Sequence, residues 1–417
     1  MTMALSVAAP PVIAEPERAV KWPWIAAISG ANFGLWVALF GPIQLLLGVQ
    51  AQAIAPENKV AALGIVTAAG AVCSLIANPL FGALSDRTVS RFGRRLPWVL
   101  FGVVGGASSL VLLATANSIA VMVIGWCLAQ TSLNAMFAAV VAAVPDQVPV
   151  AQRGSVGGWL GIAQILGLVC GVAAAEAALP NIAAAYLICV AILVAAALPY
   201  LALRRDLILD RRDRPAFAWM PFLAGFWIDP RQYPDLGWAW MTRFAVNLVY
   251  AIGTLYLLYY LGDVMHRADP AADLVTITAI NVGTMVLVMI PAGFLSDRSG
   301  RRKIFVVIAG ILLACGMAIL AAGPGWTGAL IAAAILGAGF GIYTSVEFAL
   351  ITQVLPSAAD RGRDLGVINV ANALPQVLAP AIAGLVVSYA GYPMLYALSA
   401  CLALCGVVMI RRIRSVA

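Results

Sequence analysis

The sequence predicts an all-α membrane protein of twelve transmembrane helices in two pseudo-symmetric six-helix bundles, and three observations carry that expectation. Of 417 residues, 63% are hydrophobic and 10% charged, with a mean hydropathy of +0.97, whereas a soluble domain carries charge on about a quarter of its residues. Twelve apolar runs approach or exceed the roughly 20 residues of helix that cross a hydrocarbon core. The second six runs also repeat features of the first. Helices are favoured over open strands because lipid offers the backbone no hydrogen-bond partner.

Bounded by charges, Gly-Pro pairs or polar clusters, the runs cover residues 24–48, 60–84, 96–116, 118–143, 156–179, 183–203, 238–261, 274–296, 303–322, 328–355, 366–388 and 393–410. The N-terminal stretch "MTMALSVAAPPVIAEPERAVKWPW" lacks an early positive region and interrupts its apolar run at Pro10-Pro11, so it reads as a cytoplasmic tail (1–23) rather than a cleaved signal. The longest and most charged loop, 204–237, separates an N-terminal bundle (24–203) from a C-terminal one (238–410), and a short tail (411–417) follows.

With an even number of spans both termini share one side. Of 25 Lys and Arg residues, only Lys59 and Arg267 fall in loops of the opposite side, and Arg243 lies inside a run. The positive-inside rule therefore places both termini in the cytoplasm and the chain in the cytoplasmic (inner) membrane. The net charge of +7 expresses this topology and is no footprint of nucleic acid. The seven cysteines sit in apolar stretches without metal-type spacing, so neither a metal nor a cofactor is expected.

The halves repeat in detail. "RGSVGGWLGIAQ" (153–164) aligns with "RGRDLGVINVAN" (361–372), placing Arg153 over Arg361, Gly158 over Gly366 and Gln164 over Asn372, and "LSDR" occurs at 84 and 295. Duplication of a six-helix unit is the mark of a transporter whose halves rock about a central site. Charge concentrates at two joints, "GALSDRTVSRFGRRLPW" (82–98) and "GFLSDRSGRRK" (293–303). Asp86 and Asp297 each end a helix, where a negative charge opposes the macrodipole, so each needs neighbouring arginines or the N-terminus of span five or eleven. The expected conformational latch comprises Gly82, Asp86, Arg87, Arg94 and Arg95, with Gly293, Asp297, Arg298, Arg301 and Arg302.

"GFLSDRSGRRK" resembles the inter-helix signature of the major facilitator superfamily. "GALSDRTVSRFGRRLPW" resembles its lengthened form, with four extra residues between aspartate and glycine, as in the glycoside-pentoside-hexuronide cation symporters and the plant sucrose-proton symporters. "GANFGLWVALFGPIQ" (30–44) is similar to the opening helix of the sucrose group. The resemblance implies secondary transport, every third helix as outer scaffold, and Asp86 and Asp297 as latches rather than solute ligands. The sucrose group's helix-four aspartate aligns roughly with Gln130. The helix-two and helix-four aspartates of the melibiose-type sodium symporters are missing too, which argues against sodium coupling by that route.

Polar side chains inside a membrane must face protein or water. Spans three, six, nine and twelve hold no Asn, Gln or charge, whereas Asn32, Gln44, Gln130, Asn134, Gln164, Asn247, Asn281, Asn369, Asn372 and Gln376 fall in others. Arg243, Asn247, Tyr250 and Thr254 share one helical face, as do Asn369, Asn372 and Gln376, and Asn32 with Trp36. These amides, with Trp36, Tyr250 and Tyr343 as stacking surfaces, are the expected lining for a hydroxyl-rich or otherwise polar solute. The plainer alternative is that the amides bond helix to helix.

Glu347 lies some eight residues from the cytoplasmic end of span ten, about 12 Å of helix. Neutralising a glutamate at pH 7 costs only about 3–4 kcal/mol, so protonation is within reach, and Arg243 is placed to pair with it when ionised. Glu347 with Arg243 is the expected proton-coupling pair, against a static structural pair. Glu176 reads as interfacial, and His266, the only histidine, lies in an outer loop, so no histidine relay is expected in the membrane.

The expected function is proton-coupled symport of a small polar, glycoside-like or sugar-like solute, with solute, protons and the bilayer as partners of a monomer. The alternative is export of amphiphilic or drug-like compounds; span five lacks the Gly-Pro pairing of that superfamily's antiporter signature. A sensor would carry an appended soluble domain, and no loop could hold one. Enzymes fit worst: Gly102 with Gly106 and Gly337 with Gly341 read as helix-packing pairs, not phosphate cradles.

Overall fold

In the computed structural model, residues 16–203, 206–213, 233–323, 325–354 and 361–413 are described, with side chains except at 150, 213, 297, 348–354, 361–370, 372 and 373. Among them there are helices and connecting turns and no strand. The helices are α1 (Trp22–Ile54), α2 (Lys59–Asp86), α3 (Leu96–Ala114), α4 (Ile119–Gln147), α5 (Val150–Glu176) and α6 (Ile182–Leu203). The second set begins with α7 (Pro234–Leu255), bent by 43° into Leu257–Asp263, then α8 (Pro270–Ser299), α9 (Arg302–Ala321) and α10 (Gly325–Val354). One continuous helical stretch, Arg361–Ile410, breaks at Gly391 (φ 76°, ψ 175°) into α11 (361–390) and α12 (392–410). Only glycine adopts that φ without strain, and Pro393 follows to start the next helix. Each of the twelve expected spans therefore has a helical counterpart.

Local chemistry sets the ends. Ser118 accepts a hydrogen bond from the Val121 amide at the start of α4, and Asp269 accepts one from Ala272 at the start of α8. In α1, Pro42 lacks an amide hydrogen, and the helix widens there into a π-turn over Pro42–Leu46.

The two sets pack alike. In the first, α1 lies on α5 and α6, α2 on α4, and α3 on α4 and α6; in the second, α8 lies on α10, and α9 on α10 and on the 361–410 stretch, which also covers α7. Glycines permit the closest approaches: a Cβ on Gly337 of α10 would lie 2.0 Å from the Asn281 carbonyl oxygen of α8. Buried Leu, Val, Ala and Tyr side chains fill both sets, while Ile65, Val104, Ile124, Leu198, Ile331 and Leu404 stand outward, each about half exposed. Such an apolar exterior suits lipid contact.

Between the sets, α2 meets the 361–410 stretch and α5 meets α8. These are the helices that correspond under the internal repeat, two with eight and five with eleven.

Candidate functional site

One end of the molecule is closed across the halves. Lys59, at the start of α2, places Nζ 2.6 Å from Asp263 Oδ1, and Tyr392 Oη donates to Asp263 Oδ2 at 3.1 Å. The same ammonium sits 5.0 Å from the centre of the Tyr259 ring. Tyr259 Oη donates to the Gly48 carbonyl (2.8 Å), and Tyr256 Oη lies 3.3 and 3.2 Å from the carbonyls of Val60 and Pro380. Gly64 makes room for that tyrosine, since a Cβ there would stand 3.1 Å from Tyr256 Oη and 3.3 Å from the Pro380 oxygen.

At the opposite end, where α2 finishes at Asp86, several glycines of the first half face open space. A Cβ added at Gly82 of α2, or at Gly154, Gly157, Gly158 or Gly161 of α5, would meet nothing within 4 Å. The expected latch residues sit at this end, and Asp86, Arg94 and Arg95 bond within the first half. Arg95 reaches Asp86 (2.5 Å), Asp146 (2.7 Å) and the Ser85 hydroxyl, and Arg94 also pairs with Asp146. Asp86 keeps 54% of its side-chain surface open. Asp206, beyond the end of α6, accepts from the Arg95 and Leu96 amides at 2.6 and 2.7 Å and so caps α3. Burial pushes the Asp206 carboxyl above its usual range, opposed by its three backbone donors. Arg87 is half-buried beside this knot. In the second half a Cβ added at Gly293 would lie 3.7 Å from Ser345 Cβ; Arg298 and Arg301 are exposed and Arg302 half-buried. The side chain of Asp297 lies outside the described residues.

The deep charges come together. Arg243 Nη1 of α7 is 3.1 Å from Glu347 Oε1 of α10, and Tyr343 Oη, one turn earlier on α10, donates to the same oxygen at 2.8 Å. The arginine and glutamate side chains are mostly buried, at 13% and 16% exposure. Arg243 Nε is buried without a hydrogen-bond partner.

The amides are divided between lining and bracing. Asn32 Nδ2 donates to the Leu160 carbonyl, joining α1 to α5, while Trp36 Nε1 donates to Asn32 Oδ1 at 3.2 Å. The Trp36 ring stacks on Phe40 and meets Phe137 edge-on. Tyr250 lies flat on Phe340 with ring centres 3.8 Å apart and donates to Asn281 Oδ1 at 2.7 Å, while Asn281 donates to Ala333 on α10. One face of each aromatic ring is thus already covered by protein. Asn247 donates back to the Arg243 carbonyl; Gln130 and Asn134 bond each other, and Asn78 approaches Asn134 at 3.5 Å. Gln164 and Gln376 are exposed. The side chains of Asn369 and Asn372 lie outside the described residues.

Sequence reasoning missed Asn78, Lys59 with Asp263, the tyrosines Tyr256 and Tyr259, and Gln50, which donates to Leu113 and Ala116 and accepts from Tyr186. Asn78 was visible as an amide inside the second apolar run. Nothing in the sequence signals the Lys59 contact across 204 positions.

Two matched helical sets, joined across their seam at one end, with an Arg–Glu pair deep within the second, are the build of a multi-pass membrane transporter and not an enzyme. The chain belongs to the Major Facilitator Superfamily, whose sequence profile matches residues 22–279 and 268–416. Its fold is similar to that of the nucleoside transporter NupG, at 14% identity over 94% of this chain and 98% of that one, with a TM-score of 0.76. It is also similar to the human organic anion transporter MFSD10 (TETRAN), at 17% identity over 93% and 99%, with a TM-score of 0.68. No curated protein sequence matches it.

Proposed function

We propose that this transporter is a proton-coupled symporter of a small polar organic solute, glycoside-like or sugar-like, that works by alternating access in the cytoplasmic membrane with both termini inside. The contact that carries this reading is Arg243 with Glu347, a mostly buried ion pair well inside two helices. A charge pair that deep is costly to keep, and its members are natural points for charge exchange. Glu347 takes a proton while Arg243 is drawn elsewhere, and returns to Arg243 when the proton leaves.

The lengthened joint at 82–98 supports a place near the glycoside-pentoside-hexuronide and sucrose symporters, and the polar positions on α1, α4, α7, α8 and α11 support a hydrophilic solute. The two related structures are named for a nucleoside transporter and an organic anion transporter; at their identities they support the fold and leave the solute open. Asp86 and Asp297 act as latches that engage when the Asp86 end closes, and the chain works as a monomer of two bundles, 24–203 and 238–410.

The test is Glu347→Gln in proteoliposomes. Counterflow exchange persists and acid-driven accumulation is lost; accumulation at the wild-type level would remove Glu347 from the coupling step.

A further inference from the structure

We infer that the solute carries a negative charge, a carboxylate, which Arg243 holds while Glu347 is protonated. This rests on Glu347 being the proton site proposed above. Among the described residues, Arg243 and Glu347 are the charged side chains that lie more than a turn and a half from any helix end. They cancel each other while paired. A guanidinium does not give up its proton, so once Glu347 is neutral a cation stands alone in a poorly solvated place.

Among the described residues, groups elsewhere do not fill that role. On its own helix Glu347 meets the Tyr343 hydroxyl, a neutral donor already turned toward the carboxyl. The remaining charges on the packed helices, Asp235 and Asp263 of α7, Asp269, Asp273, Asp297 and Arg298 of or beside α8, Arg301, Arg302 and Lys303 of or beside α9, and Arg361, Arg363 and Asp364 of α11, all stand at helix ends.

The arginine is built to receive an anion. Glu347 engages Nη1, while the buried Nε has no partner. Nε belongs to the side-on edge of the guanidinium, the edge that grips a carboxylate with two parallel hydrogen bonds. Asn247 and Tyr250, one and two turns further along the same helical face, are placed to meet the polar body of such a molecule.

The balance is simple. A proton adds to a Glu347 oxygen, the Arg243–Glu347 ion pair opens, and an Arg243–carboxylate pair forms in its place. On release the carboxylate leaves, Glu347 loses its proton and the original pair closes. One proton and one monoanion cross together, and no net charge moves.

The experiment is the melting temperature of the purified protein with acetate, benzoate and glucuronate, each beside a neutral counterpart (acetamide, benzamide, methyl glucoside) and beside chloride at matched ionic strength. For wild type, carboxylates raise the melting temperature by at least about 2 °C near pH 5.5 and by much less near pH 8, where Glu347 competes for Arg243. Glu347→Gln responds at both pH values, and Arg243→Gln at neither. Equal responses to neutral compounds or chloride, or no carboxylate response near pH 5.5, overturn the inference; the wild-type comparison decides this even if a variant fails to fold. If carboxylates do nothing yet Glu347→Gln still abolishes acid-driven accumulation, the solute is neutral and the symporter reading stands. If carboxylates bind as described but accumulation ignores pH, the anion site stands and the symporter reading falls.

Discussion

Lys59 Nζ and Asp263 Oδ1, 2.6 Å apart, join the two halves of the transporter at one end. The pair is partly exposed, at 17% and 36% of side-chain surface, so it contributes less than about 1 kcal/mol by itself. Its neighbours Tyr256 and Tyr259 donate across the same seam, and Tyr392 supports Asp263. Lys59→Gln therefore loosens the closed end without destroying it. Spin labels on Glu57 and Ala268 should show a longer-distance population rising about two- to five-fold, and the exchanged pair Lys59→Asp with Asp263→Lys should restore the short distance. An unchanged distance distribution in Lys59→Gln would show that the tyrosines alone hold the seam.

Asp86 keeps half of its surface open while bound to Arg95. If it engages the other half only when that end closes, Asp86→Asn leaves the present state intact and weakens its alternative. Solute binding should stay within about two-fold while the transport rate falls ten-fold or more, by analogy with losing a charged hydrogen bond worth about 1.5–3 kcal/mol. A fall in binding equal to the fall in rate would place Asp86 at the solute instead.

Tyr250 binds Asn281 through its hydroxyl and Phe340 through its ring face. Tyr250→Phe keeps the stack and loses one hydrogen bond, worth about 1 kcal/mol. If the hydroxyl also faces the solute, KM rises about five-fold with little change in melting temperature. A lower melting temperature at constant KM would make the residue a brace.

Asp206 caps α3 by accepting from two successive amides. Asp206→Ala should cost about 1–2 kcal/mol of stability, and Asp206→Asn should cost less, since an amide oxygen still accepts. Because burial raises this carboxyl, the folded protein holds its proton more tightly than the unfolded chain. The stabilisation from this group is thus complete below the unfolded value and is lost as pH rises through the folded one. Asp206→Asn should remove that part of the pH dependence, read from melting curves through the acidic range.

The helices were legible because a span has to be long, apolar and almost free of charge, a demand that leaves a plain trace even where Gly391 alone separates α11 from α12. The Arg243–Glu347 contact was legible for a related reason: two opposite charges at similar depth have few other places to go. Bonds between distant surfaces left no such trace. Lys59 looked like an ordinary loop lysine, and tyrosines such as Tyr256 look alike whether they face lipid, core or a second bundle. The amides were ambiguous by chemistry, since Asn32 and Asn281 answer the membrane's demand for partners by bonding to backbone on neighbouring helices. The expectation for Asp86 named its neighbouring arginines as part of the counter-charge, and Arg95, nine positions on, is the one it meets.

Proton movement itself tests the account most directly. In lightly buffered proteoliposomes, a solute that stabilises the purified protein is added outside, and the external pH is followed while uptake is counted. The account predicts alkalinisation outside in step with uptake, about one proton per solute, and solute exchange without proton movement in Glu347→Gln. Solute uptake by the wild type with no pH change, or an undiminished pH change in Glu347→Gln, would contradict it.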